Sequence, residues 1–155
     1  MKGLLSILAL GAVSASYAIF PNNRETGFGS VGRLTTLVNG RWETMGTAVA
    51  IGPNWLLCVA HTTGTHFEPS PGRRIPIIQR ITHTASSGNA DLAALKLGTP
   101  VTTFSKIYTP SFTALRGQTV RLVGYGLTGV KTSVGWNLTS GSTGTKRWAQ
   151  NVVDQ

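Results

Sequence analysis

One cysteine stands among 155 residues, so no internal disulfide can staple this chain. Acidic residues are scarce as well. Five Asp and Glu face fourteen Lys and Arg, a formal net charge of +9. Charged residues of both signs reach only 12%, while glycine fills 19 positions. That balance favours a turn-rich β fold over a helical one. No segment beyond the first eighteen residues carries a helical period of useful length, and there are no internal repeats or heptads. Helical bundles, solenoids and coiled coils are thereby excluded. Long apolar runs are missing too. A membrane-spanning helix needs about 20 apolar residues, and the run beginning at Leu4 is broken by Pro21-Asn22-Asn23-Arg24. No membrane is expected as a partner.

At the N-terminus stand a positive Lys2, an apolar stretch from Leu4 to Val13, and Ser16-Tyr17-Ala18 as a small-x-small cleavage signal. Residues 1–18 therefore read as a secretory signal peptide, and the expected location is secreted and extracellular. The basic residues are dispersed. Only Arg73-Arg74 and Lys146-Arg147 are adjacent, and aromatics interleaved in the RNA-binding manner are missing. The charge reads as that of a basic exported protein rather than of a polyanion surface, and no nucleic-acid partner is expected.

Turn signals divide the remainder into short strands. Residues 19–30 are Asn/Gly-rich and read as an extended arm. Val31 to Val38 reads as a strand, Asn39-Gly40 as a hairpin turn, and Arg41 to Ile51 as the return strand. Gly52-Pro53-Asn54 turns the chain into Trp55 to Ala60. Arg74 to His83, Leu92 to Leu97 and Thr119 to Tyr125 complete six strands, with Ser86 to Asn89 as a loop before Asp91. Such spacing predicts a small antiparallel barrel or sandwich. Lys131 to Thr145 is Ser/Thr/Gly-rich and reads as a loop or linker. Asn137-Leu138-Thr139 within it is an N-glycosylation sequon, making Asn137 a candidate acceptor.

Two segments carry chemistry. Val49-Ala-Ile-Gly-Pro-Asn-Trp-Leu-Leu-Cys-Val-Ala-His61 is a strand-turn-strand that ends on a histidine, and Asp91-Leu-Ala-Ala-Leu-Lys-Leu97 sets a carboxylate before a buried strand. They resemble the segments that carry the catalytic histidine and aspartate in trypsin/chymotrypsin-like serine proteases. Val120-Arg-Leu-Val-Gly-Tyr-Gly126 followed by Thr128 resembles the run that closes the first barrel of that family. Gly144-Thr-Lys-Arg-Trp-Ala-Gln-Asn151 resembles the opening strand of its second barrel.

The resemblance covers about residues 31–151 and implies an all-β fold. One six-stranded antiparallel Greek-key barrel over 31–129 would be followed by a linker and a short unpaired segment, the start of an incomplete second barrel, over 130–155. It also implies His61 as general base and Asp91 as its orienter. The family's cysteine after the histidine is Thr62 here, so the bridge beside the base is absent.

The third catalytic member is absent. No Gly-Asp-Ser-Gly-Gly occurs, and Ser140-Gly-Ser142-Thr-Gly144 lacks Gly-x-Ser-x-Gly. The resemblance thus implies a secreted serine endopeptidase truncated before its nucleophile and inactive as this chain. The alternative is a non-catalytic, protease-like binding module, and a weaker third reading is a basic polyanion binder. A protein or peptide substrate is expected if a second barrel completes the site, and self-association is expected through an uncovered barrel flank. No cofactor is expected. His66 reads as a solvated loop residue and His83 as a strand end. Neither has helical zinc spacing with His61, so no metal is expected. Cys58 reads as a small core hydrophobe.

Overall fold

The Asn39-Gly40 pair demands a hairpin, and its backbone delivers one. Both residues have positive φ, 50° and 77°, the pattern of a turn whose twist matches the strands it joins. In the computed structural model, which describes residues 23–24, 27–83, 91–133, 135–139 and 143–153, this turn links β2 (Val31–Val38) to β3 (Arg41–Gly52). Four more strands complete a closed barrel: β4 (Trp55–Cys58), β5 (His66–Ser70), β6 (Arg73–Thr82) and β7 (Ala93–Leu97). Their order around the barrel is β2-β3-β4-β7-β6-β5, every pairing antiparallel.

Alternation along each strand fills the interior. Ala93, Leu95 and Leu97 of β7 point inward, as do Leu56 and Cys58 of β4. They meet Leu34, Phe67 and Ile75, with Ala48 and Ala50 as the small members that let the large side chains interdigitate. Cys58 is a free, buried member of this core, in keeping with its reading as a small hydrophobe.

The sixth barrel strand corrects the sequence reading. Thr119 to Tyr125, β8, is not a barrel strand. His66–Ser70 takes that place, so His66 begins a strand rather than sitting in a loop, and its ring stands edge-on to Trp42 at 4.8 Å. β8 instead pairs along its whole length with β11 (Lys146–Val152). β11 also pairs with β1 (Asn23–Arg24), giving a sheet ordered β1-β11-β8. The expected unpaired C-terminal segment is therefore paired, along its whole length with β8 and at two residues with β1, and the arm over 19–30 contributes that short strand.

The Lys131–Thr145 loop reading is also revised. β9 (Thr128–Thr132) and β10 (Gly135–Thr139) form an antiparallel hairpin, with Asn137 exposed on β10. The expected signal peptide over 1–18, the expected Ser86–Asn89 loop and Ser140–Ser142 lie outside the described residues. Among those described, no helix is long and apolar enough to cross a membrane.

Thr47 of β3 fastens the outer sheet to the barrel. Its hydroxyl accepts from the Tyr125 N–H at 2.8 Å and lies 3.1 Å from the Tyr125 carbonyl, to which it donates. Glu68 of β5 is buried between the flanking strands. Its Oε1 takes Arg33 Nη2 at 2.7 Å and the Gly72 N–H at 2.9 Å, and its Oε2 lies 2.9 Å from Arg74 Nε.

Candidate active site

β4 and β7 are neighbours, with Cys58 opposite Ala93. His61 lies three residues beyond the end of β4, and Asp91 two residues before β7 begins. Antiparallel pairing brings those two ends together at one mouth of the barrel. Strand order, not chain proximity, thus joins residues 30 positions apart.

The contact is double. His61 Nδ1 hydrogen-bonds Asp91 Oδ2, and the His61 backbone N–H donates to Asp91 Oδ1 at 2.8 Å. The side chains are 47% and 29% exposed, so both atoms of the carboxylate are engaged while the imidazole still faces solvent. Partial desolvation works to raise the Asp91 carboxyl, but the hydrogen bonds from the His61 backbone and ring, the imidazole charge and the Ala60 backbone outweigh it. The carboxyl is held below its usual value and stays ionised. An ionised carboxylate on Nδ1 favours the tautomer with its proton there, which leaves Nε2 as the basic nitrogen of the ring. That arrangement can accept a proton from a hydroxyl nucleophile.

Packing holds the histidine loop where a bridge is impossible. Thr62 is buried, and a Cβ placed on Gly46 would lie 2.4 Å from Thr62 Cγ2. Only glycine permits this approach between β3 and the loop. Arg80 of β6 donates from Nη2 to the Ala60 carbonyl. Neither Gly46 nor Arg80 stands out in the sequence, because their roles depend on which strands become neighbours.

The other two histidines lie elsewhere. His66 bonds Thr65 Oγ1 through Nδ1 at 3.0 Å, and the His83 N–H donates to the Leu92 carbonyl at 2.9 Å, just past the end of β6. Among the described residues no three His, Cys, Asp or Glu side chains converge as a metal site.

No family model matches the sequence, and no curated protein matches it either. Solved structures do. A chain described as "Structure of GrC" superposes with a TM-score of 0.57 at 16% identity, covering 87% of this chain and 65% of that one. HL collagenase gives a TM-score of 0.58 at 16% identity, covering 88% of this chain and 64% of that one. The fold is trypsin-like. At these identities the likeness is one of fold, and this chain spans slightly less than two thirds of either neighbour's length.

Proposed function

We propose that this chain supplies the base and the orienter of a secreted, trypsin-like serine endopeptidase. His61 acts as general base through Nε2, and Asp91 fixes its tautomer and supports the imidazolium that forms. A second barrel brings the nucleophilic serine and the oxyanion donors, and a peptide or protein is the substrate. The single observation that carries this reading is the doubly bonded His61–Asp91 pair at the mouth of a trypsin-like barrel. The absence of Gly-Asp-Ser-Gly-Gly from these 155 residues makes the chain by itself inactive. Secretion rests on the leader-like features of residues 1–18, and Asn137, exposed on β10, is the glycosylation site proposed.

The test is the transcript beyond codon 155, expressed and assayed on casein. Cleavage should vanish in His61→Ala and fall about 10⁴-fold in Asp91→Asn. A longer product that folds yet leaves casein intact would overturn the proposal.

A second reading has its own observation. β11 pairs along its whole length with β8 and at two residues with β1, and the barrel is closed, so the C-terminal strand already has a partner within the chain. That favours a non-catalytic, protease-like binding module. Casein cleavage that depends on His61 would rule it out.

A further inference from the structure

Arg80 reaches the barrel mouth in a way that the proposed catalytic pair leaves unexplained. It sits on β6, and the register sets it opposite Leu95, which is itself opposite Leu56. Paired residues in adjacent strands share a face, and Leu95 and Leu56 are both fully buried in the core. Arg80 therefore leaves β6 on the inner side, at the end of the barrel where the wall opens. Its side chain is exposed at that end, and its guanidinium reaches the turn beyond β4.

There it meets a carbonyl that the sheet cannot satisfy. β4 ends at Cys58, so the Ala60 carbonyl lies outside the ladder, and Arg80 Nη2 donates to it. The guanidinium charge also acts on the Cys58 thiol, working to lower a pKa that burial raises. The carbonyl of Ala60 and the N–H of His61 belong to one planar peptide unit. Arg80 holds its oxygen, and Asp91 Oδ1 holds its hydrogen at 2.8 Å.

We infer that Arg80 is a positioning residue for the His61–Asp91 pair, clamping the Ala60–His61 peptide so that the histidine main chain and its carboxylate partner stay in register. The inference rests on the reading of that pair as the base and orienter. A peptide fixed at both ends cannot rotate without breaking a charge-assisted bond on one side or the other. The planar guanidinium presents its N–H donors in a fixed fork, which a lysine ammonium on a flexible stem does not. This contact and the Gly46–Thr62 packing together constrain the loop that no disulfide can hold.

The test uses the full chain, with Arg80→Met, Arg80→Lys and Asp91→Asn, followed by amide hydrogen exchange and the far-downfield proton resonance of His61 Nδ1–H. In Arg80→Met the His61 amide should exchange about tenfold faster or more, the scale of one lost charge-assisted bond. The Nδ1–H resonance should broaden or vanish, while the Leu56 and Leu95 amides keep their protection. Arg80→Lys should recover part of both signals. If Arg80→Met does not fold, Arg80→Lys is compared with the unmodified chain, and equal His61 exchange in the two overturns the inference. Unchanged His61 signals in Arg80→Met overturn it as well. Equal acceleration at His61, Leu56 and Leu95 does so too, since Arg80 would then act on the whole barrel. Asp91→Asn separates the two levels. If it leaves the resonance intact, the reading of the pair itself fails. If it abolishes the resonance while Arg80→Met does not, only the role of Arg80 falls.

Discussion

The barrel and the outer sheet are held together by different physics. Leu34, Leu56, Phe67, Leu95 and Leu97 are all at most 1% exposed in the barrel, and closure leaves it no free edge. The outer strands bury little beyond Val120 and Ala149, while Leu122, Val130, Leu138 and Val152 remain exposed. Cationic side chains take over there. The Arg121 guanidinium lies 4.3 Å from the Trp148 ring and 5.6 Å from that of Phe28. Lys146 Nζ donates to the Gly27 and Phe28 carbonyls at 3.3 and 3.1 Å. Arg147 Nη1 reaches the Thr145 carbonyl at 3.1 Å. The basic excess of the sequence is thus partly structural. The candidate catalytic pair belongs to the barrel, at the ends of two strands whose inner faces are fully packed.

The sharpest way to break this comparison is a cavity in the barrel. Leu95→Ala should lower unfolding stability by about 3 kcal/mol, the transfer and cavity cost of a fully buried leucine. It should do so in one cooperative transition, read by urea denaturation followed through tryptophan fluorescence. A loss of about 0.5 kcal/mol or less, the range of ordinary surface substitutions, would mean that the barrel is not the main source of stability.

Glu68 tests the seam between hydrophobic and ionic support. Glu68→Gln should cost about 2 kcal/mol at neutral pH, because Arg33 and Arg74 lose the charge between them. Burial works to raise this carboxyl, but the Arg33 bond, the Gly72 N–H and the two guanidinium charges overcome it and hold it low. A folded value below the unfolded one gives stability that is complete above about pH 4.3 and lost as pH falls through the folded value. The difference between the two proteins should accordingly shrink on acidification. Urea midpoints at neutral pH and at about pH 3 measure it, and a gap that widens in acid would contradict the assignment.

The same contrast explains what the sequence reveals. β2, β3, β4 and β7 announce themselves because one face of each is buried and hydrophobic alternation records that face. His61 and Asp91 are visible through the segments that carry them. β5 is not, since its five residues contain one core hydrophobe, Phe67, beside Pro69 and a buried glutamate. Glu68 is tolerated there only because arginines arrive from β2 and β6, a fact of strand order. β8 shows the converse. Val120 and Leu122 alternate as in a barrel strand, but alternation does not name a partner, and the partner is β11. β9 and β10 are hard to read because Gly129 and Gly135 interrupt their apolar residues and Val130 is 69% exposed; their pairing with each other makes them strands. Arg80 escapes notice for the same reason as β5.

A smaller effect tests how the histidine loop is held. Gly46→Ala would set a Cβ 2.4 Å from Thr62 Cγ2 and 3.1 Å from its Oγ1. Thr62 is buried and has no room to retreat, so the cost should be about 1.5 kcal/mol. Adding Thr62→Ser removes the offending methyl, and the double variant should recover part of the loss. That non-additivity is the signature of a direct contact. Thermal denaturation of the four proteins closes the cycle, and simple addition of the two effects would place the strain elsewhere.

The smallest expected effect lies in the outer sheet and sharpens the contrast best. Arg121→Ala removes a guanidinium that lies over Trp148 and near Phe28. Partly exposed cation–π contacts contribute about 0.5–1 kcal/mol each, so global stability should fall by about 1 kcal/mol. The local consequence should be larger than the global one. Phe28 holds a left-handed backbone at φ 49°, unusual for a bulky residue, and its carbonyl is fixed by the Val31 N–H and by Lys146. Loosening the Arg121 stack frees the side chain of this strained residue, next to the short β1–β11 pairing. Amides of β11 that face β1 should then exchange faster, while those of β7 do not change. Equal acceleration in both would mean that the two regions unfold as a single unit and that their different chemistries have no separate dynamic consequence.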